Sequence, residues 1–148
     1  MTRNADFAEG LEAALAAAPE ETGDRQLITL LEARGFAYGA RSAANLRLLA
    51  RFFPFATLRA VTMTALCTPA PDMALNGLER ISAVVPADDL VAVCAKKGRL
   101  SQLLLICGSS PFLTNVICRD AAHFRGLFIE RRIELRRSEA EMLAALRV

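Results

Sequence analysis

The sequence is poor in the residues from which most active sites are assembled. His123 is the single histidine among 148 residues, so a general base of the imidazole kind has one candidate. No serine or cysteine nucleophile with an orienting acid can be assigned to it. The four cysteines, Cys67, Cys94, Cys107 and Cys118, include no C-x-x-C pair. With one histidine they supply too few ligands at workable spacing for a zinc site. Their apolar surroundings predict buried thiols of a reducing compartment. A phosphate loop of the G-x-x-x-x-G-K type is absent. So is an excess of positive charge: 18 Lys and Arg against 16 Asp and Glu leave a formal charge of +2, far from the basic stripe of a nucleic-acid binder. No low-complexity linker divides the chain and no repeat of fixed period is present. Residues 1–148 therefore fit one domain.

What the chain does have is apolar residues at helical spacing along almost its whole length, without strand-like alternation. A composition of 53% hydrophobic and 23% charged residues is globular. The prediction is an all-α fold, an irregular bundle of about eight to nine short helices. Asp6 is expected to cap a first helix that Pro19 closes. A second begins near Asp24 and ends at Arg34, where Gly35 supplies the left-handed turn. Ser42 caps a third, through Leu46, Leu49 and Phe53, which Pro54 breaks. Asp72 caps the helix carrying Leu75, Leu78, Ile81 and Val85 on one face. Pro86, Asp88 and Asp89 open the next, with the two carboxylates complementing the helix dipole. A helix over about 99–107 ends in a left-handed turn at Gly108. Ser110 and Pro111 then provide a cap and a first helical residue. A longer helix after Asp120 holds Phe124, Leu127, Phe128 and Leu135, and Ser138 with Glu141 forms a capping box for a final one.

Two segments test the choice of compartment. Asp6, Glu9 and Glu12 interrupt the Ala-rich N-terminus where a signal peptide needs an apolar run, which predicts a cytoplasmic protein. Leu100 to Cys118 carries no charge and approaches the roughly 20 residues of a spanning helix. The GSSP at its centre and the polar Gln102, Thr114 and Asn115 favour a buried helical hairpin and no membrane partner.

The motif closest to catalysis is LLLICGSS, because an apolar run followed by Gly108-Ser109 is how nucleotidyltransferases of the polymerase-beta type begin their site. That chemistry also needs clustered carboxylates to hold its metal ions. Only Asp120 lies at a suitable distance, and Ala121-Ala122 follow it. Arg131, Arg132, Arg136 and Arg137 are interleaved with Glu130 and Glu134, the pattern of a solvated, salt-bridged helix face. No catalytic, cofactor-binding or metal-ligating residue is predicted. The residues singled out, Gly35, Asp72, Gly108, Ser110 and Pro111, are structural.

The order of segments carries more than any residue. LLEARGF, then PDMALNGLERI, then LVAVCAKKGRLSQLLLICGSSPFLTNVICRD make the region from about Leu31 to Ile133 resemble the N-terminal helical region of the glutamine synthetase adenylyltransferase and adenylyl-removing enzymes. That family shows a Pro-Asp turn into an A-L-x-x-L-E-R helix and a later helix ending in Gly-x-Ser before a Phe-Leu helix. It commonly has His-Pro-Glu where this chain has Asp120-Ala121-Ala122. The resemblance implies a non-catalytic helical part that packs against and positions a nucleotidyltransferase core in nitrogen control. Glutamine synthetase and a small nitrogen-signalling protein are the implied further partners. ATP and Mg are implied for the intact enzyme and neither for this chain. The residues themselves leave a second reading open, a stand-alone helical protein-interaction module.

Overall fold

The computed structural model describes residues 2–19, 21–130, 140 and 143–144. Nine α-helices and one π-helical turn follow one another, with no strand among the described residues: α1 (Thr2–Ala16), α2 (Glu21–Arg34), α3 (Gly39–Leu49), α4 (Phe55–Ala65), α5 (Pro71–Ser82), α6 (Ala87–Cys94), α7 (Lys97–Ser109), α8 (Pro111–Arg119), α9 (Ala121–Phe124) and the π-turn Arg125–Ile129. The chain is an all-α, multi-helix bundle.

Each helix buries one stripe at the spacing its sequence dictates. Phe7, Leu11 and Ala14 of α1 face Leu27 and Leu31 of α2 in a common core. Helix α5 is the centre of the assembly: Ala74, Leu75, Leu78 and Ile81 are fully buried, and α5 packs against α3, α4, α7 and α8. Its most extensive neighbour is α7, which buries Leu100, Leu103, Leu104, Cys107 and Gly108. Phe124 and Phe128, with ring centroids 5.2 Å apart, close the far end of the core.

Several boundaries depart from the caps expected above. Asp6 lies inside α1, and Ser42 lies buried inside α3. The helix after Asp120 is a four-residue α-turn that widens into a π-turn. Its expected continuation to Leu135, the Ser138–Glu141 box and the arginines from Arg131 to Arg137 lie outside the described residues. Of the four thiols expected in the interior, Cys94 and Cys107 are buried, Cys118 is half-buried and Cys67 is exposed.

The uncharged run 100–118 is divided between α7 and α8, which meet at 114°. No single helix among the described residues is long and apolar enough to cross a membrane. The buried stripe of α7 goes to α5, an intramolecular partner that accounts for its apolarity.

Arg47 ties the first helices to the rest. Its guanidinium donates to the carbonyls of Ala14, Leu15 and Ala17 at 3.0–3.1 Å and to Asp24 Oδ1 at 3.0 Å. It thereby satisfies carbonyls that the last turn of α1 leaves without helical donors.

Candidate functional site

Three turns gather around the N-terminal half of α5. The first follows α2, where Gly35 adopts φ 128°, a region that L-residues resist. The amides of Gly35 and Phe36 both reach back to the Leu31 carbonyl, at 3.2 and 3.1 Å. The reversal places Ala37 and Tyr38 against the start of α5. There Asp72 Oδ2 accepts the Ala37 amide at 2.7 Å, and Oδ1 accepts the Tyr38 amide at 3.0 Å and the Ser42 hydroxyl at 2.7 Å.

Asp72 is thus not the cap of its own helix, as its position suggested. Ala70 is the N-cap of α5, Pro71 follows it, and Asp72 lies in the first turn with its carboxylate directed to the loop before α3. Pro71 contributes no N–H, and the acceptor capacity of Asp72 is taken by donors from another part of the chain. The same contact explains why Ser42 is not a cap: its hydroxyl donates to Asp72 from inside α3. Beside this junction a cleft of about 510 Å³ is lined by Gly35, Tyr38, Arg41, Asp72, Met73 and Asn76.

The second and third turns meet through Gly108. It lies inside α7 and not in a left-handed turn, since Gly35 is the one described glycine with positive φ. A Cβ built on Gly108 would stand 2.5 Å from Thr68 Oγ1, 2.7 Å from Thr68 Cβ and 3.3 Å from Ala74 Cβ. The glycine is required by close approach of α7 to the turn before α5, not by backbone conformation. Gly77 plays the same part from the other side, with 2.8 Å to Cys107 Cβ. Ser110 then caps α8, accepting the Leu113 amide at 3.2 Å, with Pro111 at the first helical position. Arg80 at the end of α5 donates to Asn115 Oδ1 of α8 at 2.7 Å. Asp72 thus holds the turn that follows Gly35, Gly108 meets the turn before α5, and Ser110 with Pro111 opens α8.

Burial, with the neighbouring Cys107 as a lesser cause, pushes the Cys94 thiol up to about 12. Burial pushes Cys107 up to about 12 as well, partly offset by its hydrogen bond with Thr114. Burial also raises Cys118, against the pull of Arg80. Protonated thiols are poor nucleophiles. His123 Nδ1 lies 3.0 Å from the Val116 carbonyl, and Asp120 caps α9 by accepting the Ala122 amide at 2.9 Å. Among the described residues no group of three or more His, Cys, Asp or Glu side chains is placed to hold a metal ion.

Sequence reasoning missed one surface. Leu105 within α7, and Phe112 and Leu113 in the first turn of α8, are 53%, 72% and 45% exposed. In an uncharged run they are indistinguishable from their buried neighbours until the angle between the helices is known. No protein-family profile matches the chain, and neither curated proteins nor solved structures yield a match.

Proposed function

We propose that this chain is a non-catalytic helical part, or a short relative, of a glutamine synthetase adenylyltransferase or adenylyl-removing enzyme, which packs against and positions a nucleotidyltransferase core. The observation that carries the reading is how the resembling segments meet. The PDMALNGLERI segment is α5, and its Asp72 holds the amides of Ala37 and Tyr38, directly after LLEARGF. Its Gly77 lies against Cys107, and its Arg80 bonds to Asn115 of the third segment. Asp72 and Arg80, which stand at the Pro-Asp and L-E-R positions of the pattern, thus bind the turn after the first segment and the third segment, so that the segments pack on one another. Such pairwise dependence is what would keep the segments together in a family.

Catalysis in that family resides in a core with paired carboxylates and ATP with Mg. The carboxylates matter because charge developing on a transferring phosphoryl group is met by metal ions that they hold. Asp120, occupied as a helix cap, does not supply such a cluster. The purified chain, incubated with labelled ATP, magnesium and glutamine synthetase, should leave the synthetase unlabelled. Joining a catalytic segment of the family should restore labelling. Time-dependent labelling by this chain alone, abolished by Asp120→Asn, would overturn the reading.

A second reading, a stand-alone interaction module, draws on the exposed Leu105, Phe112 and Leu113. It is preferred if the chain fails to associate with a nucleotidyltransferase core while charged substitutions at Phe112 abolish binding to another protein.

A further inference from the structure

Between α4 and the junction of α6 with α7 lies a second cleft, of about 430 Å³. Ala56 and Ala60 open one side of it by their small size, and Met63 and Leu100 give it an apolar wall. Its charged residues are Arg59 from α4 and Lys97 from α7, and no carboxylate among the described residues lines it. The salt bridges among the described residues, Arg47 to Asp24 and Arg125 to Asp89, use neither cation. Two cations therefore share a partly open, partly apolar cleft with no carboxylate among the described residues of its lining.

We infer that this cleft binds a small phosphate monoester with a compact apolar body, its phosphate held between Arg59 and Lys97. The charge balance selects phosphate over carboxylate, because a monoester carries about −1.5 to −2 at neutral pH and answers both cations. The two side chains are complementary in kind. The Arg fork takes two phosphate oxygens together, and the Lys ammonium acts as a point charge on the third. The wall of Met63 and Leu100 accepts the apolar part, and the volume lies within the range of small-molecule sites. Cys94, Ala95, Lys97 and Leu100 of the lining belong to the third resembling segment, but nothing in the inference depends on the proposed function.

The test is a titration of the whole chain, followed by backbone amide NMR at low ionic strength, with phenyl phosphate, inorganic phosphate, benzoate and phenol. Saturable shifts confined to residues of the cleft are expected, with phenyl phosphate binding more tightly than the other three. Arg59→Gln and Lys97→Gln should each weaken phenyl phosphate by about fivefold or more, as expected for charge-assisted contacts. Arg51→Gln, an exposed charge outside the cleft, should leave binding unchanged. Both cleft cations are exposed, so the variants should keep the parent's melting temperature, which serves as the folding control. The inference fails if benzoate binds as tightly as phenyl phosphate, which would make the cleft a seat for a carboxylate. It fails equally if all three cation variants weaken binding alike, or if no saturable shift occurs.

Discussion

Asp72 and Ala37, 35 residues apart, are joined by a 2.7 Å hydrogen bond from the Ala37 amide to the Asp72 carboxylate. With Tyr38 and Ser42 as further donors, one side chain locks the entry of α3 to the start of α5. Asp72→Ala should therefore cost about 1–3 kcal/mol, because hydrogen bonds to a charged acceptor contribute about 1.5–3 kcal/mol and the exposed amides recover part of that from water. Asp72→Asn should cost less, since one amide oxygen still accepts. Chemical denaturation gives both values, and hydrogen exchange should show the Ala37 and Tyr38 amides losing protection first. An unchanged midpoint for Asp72→Ala would refute the lock.

Within α7, two glycines make opposite predictions. At Gly98 an added Cβ meets nothing within 4 Å, so Gly98→Ala should stabilise by about 0.4–1 kcal/mol through the unfolded chain. At Gly108 the same change drives a methyl into Thr68, which is buried and bonded to the Ala65 carbonyl at 2.7 Å. Overpacking of this kind costs about 1–3 kcal/mol, enough to outweigh the helix-propensity gain of about 1 kcal/mol. Melting temperatures of the two variants should move in opposite directions. A gain at both positions would mean that α7 can move away from Thr68.

Arg47 should resist conservative exchange. A lysine ammonium cannot reproduce a planar fork that donates to three carbonyls and a carboxylate. Arg47→Lys is expected to lose most of what Arg47→Ala loses, on the order of 1–3 kcal/mol. The loss should be concentrated in the α1–α2 contact, read as faster hydrogen exchange in α1 with little change in α7. Uniform loss of protection throughout the chain would contradict this.

The buried thiols predict a sensitivity to base. Cys94 and Cys107 are raised to about 12 from an ordinary value of 9.0. Above pH 9 the unfolded chain therefore binds fewer protons than the folded one, and stability falls with pH. The contribution of the protonated thiols is fully present below about 9 and is lost as pH rises toward 12. The slope reaches at most about 1.4 kcal/mol per pH unit for each thiol. Thermal melts from neutral to strongly basic pH should fall more steeply for the parent than for a Cys94→Ala, Cys107→Ala variant. Parallel curves would show that these thiols do not set the alkaline limit.

The distribution of legible and illegible features follows from range. Leu75, Leu78 and Ile81 were readable as a buried face because helical periodicity is a property of neighbouring residues, and all three are buried; Val85, expected on the same face, is buried in the turn after α5. Ser110 and Pro111 were readable as a helix start because their partner, the Leu113 amide, lies three residues away. Gly35 was readable because a left-handed turn at a helix end is equally local.

Asp72, Gly108 and Arg47 were not readable in their actual roles, since each is decided by what another helix brings to it. Asp72 has the sequence position of a cap for α5 and spends its oxygens on the α2–α3 turn. Gly108 has the position of a helix terminus and is instead the point where α7 comes within a side chain's width of Thr68. That the chain is helical, and which face of each helix is apolar, follows from residue spacing alone, because both depend on neighbours a few positions apart. Which carbonyls Arg47 finds, where Arg59 and Lys97 share a cleft, and which apolar residues of the uncharged run face outward are set by how the helices pack. Those outcomes depend on angles between helices, such as the 114° between α7 and α8, that packing of whole elements sets and no local pattern encodes.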